Sequence, residues 1–318
     1  MNELAKIYSA KTDLAQLSNT AEIISYVLDQ LDTSERTRET YKRNIRGFIE
    51  YIENNGLTLQ SATHQTVVSY KRTLEQQGYK AGTINSYLTA VRAIYKVLES
   101  ESEQFTNITA NVKNEKHATS SAKDALTIEQ AKTLLQEPKD GASLQELRDY
   151  ALINLCIKRG LRTIEIARAD ISDIRNNQGH TVLYVQGKGH TSKDNFVILS
   201  TEILNPILRY LSARGYKDKT APLFAGCCNR NNGARLTTRT ISRIIKGAML
   251  DRGIDSDTLT AHSLRHTAVT FALLGGATLQ ETQQMARHAN INTTLIYAHN
   301  LDRLKGNAES AIDRLLSA

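Results

Sequence analysis

The sequence predicts a mainly α chain with one small antiparallel sheet, an α+β class, organised as two domains. Three observations carry that expectation. Apolar residues recur at helical spacing along most of the chain. Two β-type runs, Val182-Leu183-Tyr184-Val185 and Phe196-Val197-Ile198-Leu199, flank a polar turn that contains glycine. Residues 107–125 carry few large apolar side chains, as a linker does.

The first third reads as helices. Ile23, Ile24, Val27, Leu28 and Leu31 form one stripe; Tyr41, Ile45, Phe48, Ile49 and Ile52 form a second; Ile84, Tyr87, Leu88, Val91, Ile94, Tyr95 and Leu98 form a later one. Lys42, Arg43 and Arg46 lie off the second stripe, and Arg92 and Lys96 continue the basic trend. Such a face is either an ordinary solvated surface or a set of phosphate contacts that hold DNA without reading its sequence. The small polar run from Lys116 to Lys123 follows. The expected boundaries are a helical domain at 1–108, a linker at 109–125 and a second domain at 126–318.

Beyond the linker, Thr127 is a candidate N-cap for a helix opening at Ile128. A longer helix runs through Tyr150, Ala151, Leu152, Ile153 and Leu155, and Gly160 is placed to end it. The two strands come next. Thr278-Leu279-Gln280-Glu281 has the spacing of a capping box. Ala308, Ile312, Leu315 and Leu316 give the last helix an apolar side.

At 318 residues the chain can bury two cores. Lys+Arg 40 against Asp+Glu 33 gives +7, which suits a polyanionic partner without requiring one. No apolar run approaches the ~18 residues of a membrane span. The start Met1-Asn2-Glu3-Leu4 shows no basic region ahead of an apolar stretch. Cys156, Cys227 and Cys228 offer neither a disulfide framework nor metal-ligand spacing, so the cytoplasm is the expected compartment.

The chemistry is concentrated late in the chain. His262-Ser-Leu-Arg265-His266-Thr267 is followed by His288 and, nine residues on, by Tyr297. Upstream, Arg162 follows a Gly-Leu pair with Glu165 three residues beyond, and Lys188 sits in Gly187-Lys188-Gly189. Guanidinium clamps, proton carriers and a phenol are what phosphoryl transfer through a covalent intermediate requires. Each motif alone is weak; their joint order is specific. His262 and His266 are spaced to share one helix face, as zinc ligands can, but no third ligand accompanies them. His266 is therefore read as a packing or hydrogen-bonding residue.

This order, over essentially all of residues 125–300, resembles the tyrosine recombinases, also called the phage-integrase family. The resemblance implies a two-domain DNA clamp, with an all-helical SAM-like N-terminal domain and a mixed α/β catalytic domain. It implies site-specific cleavage and rejoining of duplex DNA through a 3′-phosphotyrosyl intermediate and a Holliday junction, without metal, ATP or another cofactor. Tyr297 is then the nucleophile, His262 its base and Lys188 the acid for the leaving 5′-oxygen. Arg162 and Arg265 grip the nonbridging oxygens, and His288 adds a hydrogen bond. Glu165 either orients an arginine or the base, or is an exposed helix carboxylate.

Where the family commonly has glycine before the residue aligned with His288, this chain has Arg287. An arginine there tolerates an unusual backbone angle less well, and Arg287 is itself a candidate DNA contact. The implied partners are double-stranded DNA with inverted-repeat core sites and four copies of the chain on two sites. Those copies would be linked by exchange of the C-terminal helix, with a related recombinase or accessory protein as an optional addition. Packing of that helix on its own domain is the alternative. The biological outcome is integration or excision of a mobile element, or resolution of DNA multimers. Relaxation in the manner of a type IB topoisomerase and non-catalytic DNA-binding regulation are the rival functions.

Overall fold

In the computed structural model, residues 20–101, 105–116, 125–187, 189–215, 218–228, 232–305, 312 and 314–317 are described. The chain divides into two units, Met1–Ser120 and Ser121–Ala318.

The first unit holds α1 (Thr20–Asp29), α2 (Glu35–Asn54), α3 (His64–Gln76) and α4 (Ala81–Glu101). Ser34 caps α2 by accepting the Thr37 N–H, and Thr63 with Thr66 forms a capping box on α3. The predicted stripes make the core: Ile45, Phe48, Ile49 and Ile52 of α2 are buried with Leu88, Val91, Ile94, Tyr95 and Leu98 of α4. Phe48 meets the Tyr70 ring edge-on at 5.2 Å. One polar pair crosses this core, Asn44 donating to the Ser86 hydroxyl at 2.9 Å.

That arrangement leaves Lys42, Arg43, Arg46 and Lys96 exposed. Arg92 is partly buried and donates to the Val112 carbonyl at 2.8 Å. Part of the expected linker packs on the first unit. Val112 is 8% exposed and belongs to the first unit's core, while Lys71 pairs with Glu115 and the Asn85 amide brackets Glu115's backbone. Residues 109–116 are thus anchored by one apolar side chain and several long-range hydrogen bonds, which composition does not reveal.

The second unit is built on α6 (Leu144–Arg159), packed against α8 (Thr201–Arg214) and α10 (Ala261–Leu274). Before α6 lies α5 (Ile128–Leu134), capped by Thr127 with Gln130; after it comes the short α7 (Thr163–Arg168). The sheet has order β1-β2-β3, all antiparallel, from β1 (Ile174–Asn177), β2 (His180–Val185) and β3 (Asn195–Ile198). Val182 pairs with Ile198 and Leu183 with Val197. The remaining helices are α9 (Thr238–Leu250), α11 (Leu279–Ala286) and α12 (Asn292–Lys305).

Thr278 and Glu281 form the expected capping box at α11. Ala308 lies outside the described residues; Ile312, Leu315 and Leu316 are exposed. Among the described residues, no helix is long and apolar enough to cross a membrane.

Candidate active site

Gly160 ends α6 in the left-handed region (φ 61°, ψ 32°), so the chain reverses sharply and Arg162 becomes the residue that starts α7. Glu165, one turn on, folds back: its carboxylate accepts from the Arg162 backbone N–H at 2.8 Å and from the Arg162 guanidinium at 2.8 Å. Glu165 is fully buried, so of its two sequence readings the exposed carboxylate is excluded.

The second cation on Glu165 is Arg287. Its guanidinium donates to both carboxylate oxygens, at 2.8 and 3.3 Å, and to the Gly160 carbonyl at 3.1 Å. The side chain is 7% exposed. The guanidinium, a candidate DNA contact from the sequence, is committed inward to a buried carboxylate and to carbonyls. Arg287 itself adopts the left-handed conformation (φ 52°, ψ 48°) as the C-cap of α11, at a cost of order 1 kcal/mol for a side-chain-bearing residue.

Arg265, on the first turns of α10, is buried and donates to the carbonyls of Gly160, at 2.5 Å, and Ala286. The Arg287 carbonyl in turn accepts from Arg162 at 3.2 Å. Successive carbonyls at 286 and 287 therefore hold the two predicted phosphate-gripping arginines. Burial and the charges of Arg162 and Arg287 push Arg265 down to about 9, which leaves it cationic at neutral pH. Burial pushes Glu165 up, but the Arg287 and Arg162 charges and hydrogen bonds outweigh it, and the carboxyl sits below its ordinary value.

His288 follows directly. Its Nδ1 lies 2.9 Å from the buried Thr294 hydroxyl, and its carbonyl accepts from Gln283 at 3.0 Å. Burial first, then the Arg265, Arg162 and Arg287 charges, lower its pKa to about 4. The ring is neutral at pH 7. A Thr294 hydroxyl that donates to Nδ1 leaves the ring proton on Nε2, available to an acceptor.

Tyr297 lies on α12, and its hydroxyl is hydrogen-bonded to Nδ1 of His266. The rings are 5.2 Å apart, and the His262 ring meets His266 edge-on at 4.8 Å. His262 is exposed and borders a hollow of about 430 Å³ with Arg162, Lys246 and Asp257. The ring that reaches the phenol is thus His266, read from the sequence as a packing or hydrogen-bonding residue and not placed in the catalytic set. Its signal was present: four residues after His262 on a helix is the same face. Burial raises the Tyr297 pKa, partly offset by Arg265.

Lys188 lies outside the described residues. The hairpin around it is anchored at its roots. Arg168 donates to the Gly187 carbonyl at 3.0 Å, and Lys193 pairs with Asp170 at 2.7 Å and Asp173 at 2.5 Å. Nearer the tip, His190 pairs with Asp194 at 3.0 Å. Among the described residues no group of three or more His, Cys, Asp and Glu side chains is arranged to hold a metal ion.

The model of the phage integrase family matches residues 124–303, and that of the phage integrase N-terminal SAM-like domain matches residues 24–102. The tyrosine recombinase XerC of Pelobacter propionicus is 31% identical over 278 residues, 85% of this chain and 87% of that protein. The tyrosine recombinase XerD of Rickettsia bellii is 26% identical over 286 residues, 88% of this chain and 93% of that protein. Among solved structures, the XerH site-specific recombinase in a post-cleavage complex with its palindromic difH substrate superposes with a TM-score of 0.73 at 19% identity. It covers 98% of this chain and 90% of that one. A lambda integrase tetramer on a Holliday junction gives 0.68 at 15% identity, covering 87% and 75%.

Proposed function

The chain belongs to the phage integrase family, as an Xer-type tyrosine recombinase that cleaves and rejoins DNA site-specifically, and from that premise we propose how its residues divide the reaction. Tyr297 Oη attacks the scissile phosphate, forming a phosphotyrosyl ester as the bond to the 5′-oxygen breaks. The phenol proton passes to the histidine pair: His266 holds the hydroxyl beforehand, and exposed His262, at the motif position, takes the proton when phosphate is bound. Lys188 donates a proton to the leaving 5′-oxygen. Its assignment rests on the sequence.

Arg162 and Arg265 bind the nonbridging oxygens, and neutral His288 donates through Nε2 to the charge developing on phosphorus-bound oxygen. A 5′-hydroxyl from a second duplex reverses the step, so the phosphodiester energy is kept without ATP. The observation that carries this reading is the network in which Gly160, Glu165, Ala286 and Arg287 tie Arg162 and Arg265 together, with His288 as the next residue.

Four copies of the chain act on two inverted-repeat core sites and pass through a Holliday junction. The exposed Ile312, Leu315 and Leu316 bridge neighbouring copies, and Lys42, Arg43, Arg46 and Lys96 bind phosphates. The reaction serves either mobile-element movement or multimer resolution. The test is trapping on a nicked suicide substrate. A covalent protein–DNA adduct is expected that Tyr297→Phe abolishes, and persistence of the adduct in that variant overturns the nucleophile assignment.

A further inference from the structure

The sequence departs from its family's pattern at Arg287, and the structure gives that side chain a place inside the molecule. Four groups converge there. The Glu165 carboxylate accepts from Arg287 and Arg162. The Gly160 carbonyl accepts from Arg287 and Arg265. The Arg287 carbonyl accepts from Arg162, and the neighbouring Ala286 carbonyl accepts from Arg265. Every link between the two phosphate-gripping arginines in this network runs through Arg287, its neighbour or a group that Arg287 also binds.

A glycine at this position supplies the carbonyl and the left-handed turn but no guanidinium. Glu165 would then face Arg162 alone, and one of its oxygens would lose its side-chain donor. A carboxylate so placed draws Arg162 toward itself, because its remaining charge has no second partner. With Arg287 in place the carboxylate is shared. The Arg162 guanidinium keeps one Glu165 bond and one carbonyl bond, and the side chain remains 27% exposed at the surface.

The geometry assigns to Arg287 a positioning role in DNA cleavage: its guanidinium satisfies Glu165 from within and so holds Arg162 and Arg265 in register for one phosphate. It does not touch DNA. The inference rests on Arg162 and Arg265 gripping that phosphate. A misplacement of about 1 Å in such a group costs on the order of 100-fold in rate, so the effect belongs in the chemical step rather than in binding.

The test uses the full-length protein with Arg287→Gly, which keeps the left-handed turn free of strain, and Arg287→Lys, which keeps the charge but not the fork. Adduct formation on the nicked substrate at saturating DNA is expected to fall about 10- to 100-fold in Arg287→Gly and less in Arg287→Lys. DNA affinity and its salt dependence should hold, and the shape of the rate–pH profile should be unchanged. In a Glu165→Gln background, Arg287→Gly should cost little more, because its partner is already altered.

An unchanged cleavage rate in Arg287→Gly overturns the assignment. So does weakened DNA binding with a salt slope reduced by about one, the mark of a lost phosphate contact. If Arg287→Gly fails to fold, Arg287→Lys and the Glu165→Gln cycle decide: additive losses there exclude action through Glu165. Arg162→Ala and Arg265→Ala serve as controls. If they cleave normally, the phosphate-gripping reading itself has failed, which is a different result from failure of Arg287 alone.

Discussion

The hydroxyl of Tyr297 is hydrogen-bonded to Nδ1 of His266, one helical turn beyond His262, although the recombinase motif points to His262. The two imidazoles touch, so the phenol is approached through a pair. A phenol whose pKa burial has raised needs a base near neutral pH, and the two rings divide the work of holding and accepting.

That division is separable by pH. With a histidine base the cleavage rate should level off above the histidine's pKa; without one it should keep rising toward the phenol's own pKa. His262→Ala is expected to remove the plateau and lower the neutral-pH adduct rate about 100-fold or more. His266→Ala should lower the plateau while preserving its shape. Single-turnover rates from pH 5.5 to 9.5 check this, and loss of the plateau in His266→Ala instead would make His266 the base.

Stability carries a second pH signature. The folded pKa of His288 lies at about 4, below its ordinary 6.5, so between those values the unfolded chain binds the extra proton. The stability associated with neutral His288 is complete above about 6.5 and is lost as pH falls to about 4. Glu165, also lowered, adds its loss only as pH falls below the ordinary 4.5. Urea midpoints should therefore fall between pH 7 and pH 5, and His288→Gln should flatten that interval. An equal slope in wild type and variant would show that His288 is not the group responsible.

Gly160 is where fold and chemistry share one residue. An added Cβ would meet the Ala268 Cβ at 3.3 Å in a backbone conformation already strained for any L side chain. Gly160→Ala is expected to destabilise the second unit by about 1–3 kcal/mol and to slow cleavage, since its carbonyl binds Arg265 and Arg287. Gly56→Ala, also at positive φ but with nothing within 4 Å, isolates the backbone part. Denaturant melts of both variants, with the adduct rate alongside, separate crowding from strain.

What was legible in the sequence was periodic or ordered. The Ile45, Phe48, Ile49 and Ile52 stripe buries one helix face, and the Val182–Val185 run is buried at Val182, Leu183 and Val185, on both faces of its strand, so both patterns survive in the fold. Strand β1 did not show itself, because Ile-Arg-Asn-Asn has one apolar residue and gains its place by pairing with β2. The motif order pointed to Arg162, Arg265, His288 and Tyr297. Nothing local pointed to Arg287 turning inward, since its partner carboxylate lies 122 residues away and looks like a helix-surface glutamate in Thr-Ile-Glu-Ile-Ala-Arg. The same holds for Val112, whose polar surroundings read as linker.

The hairpin that bears Lys188 supplies the last prediction. Lys193 clamps its far strand to Asp170 and Asp173, and Asp170 also pairs with Arg235, so the hairpin root is tied to the segment that follows α7. Lys193→Met removes that clamp while leaving Lys188 in place. If Lys188 is the acid, a loosened hairpin costs proton delivery to the leaving 5′-oxygen and nothing else. Cleavage of an ordinary substrate should slow about 10-fold. A substrate with sulfur at the scissile 5′ position, whose thiolate leaves without a proton, should be cleaved at the wild-type rate. Lys188→Ala should show the same pattern with a larger loss. A Lys193→Met defect that persists with the sulfur substrate would place the damage in phosphate binding, and a Lys188→Ala defect that persists would remove Lys188 from the acid role.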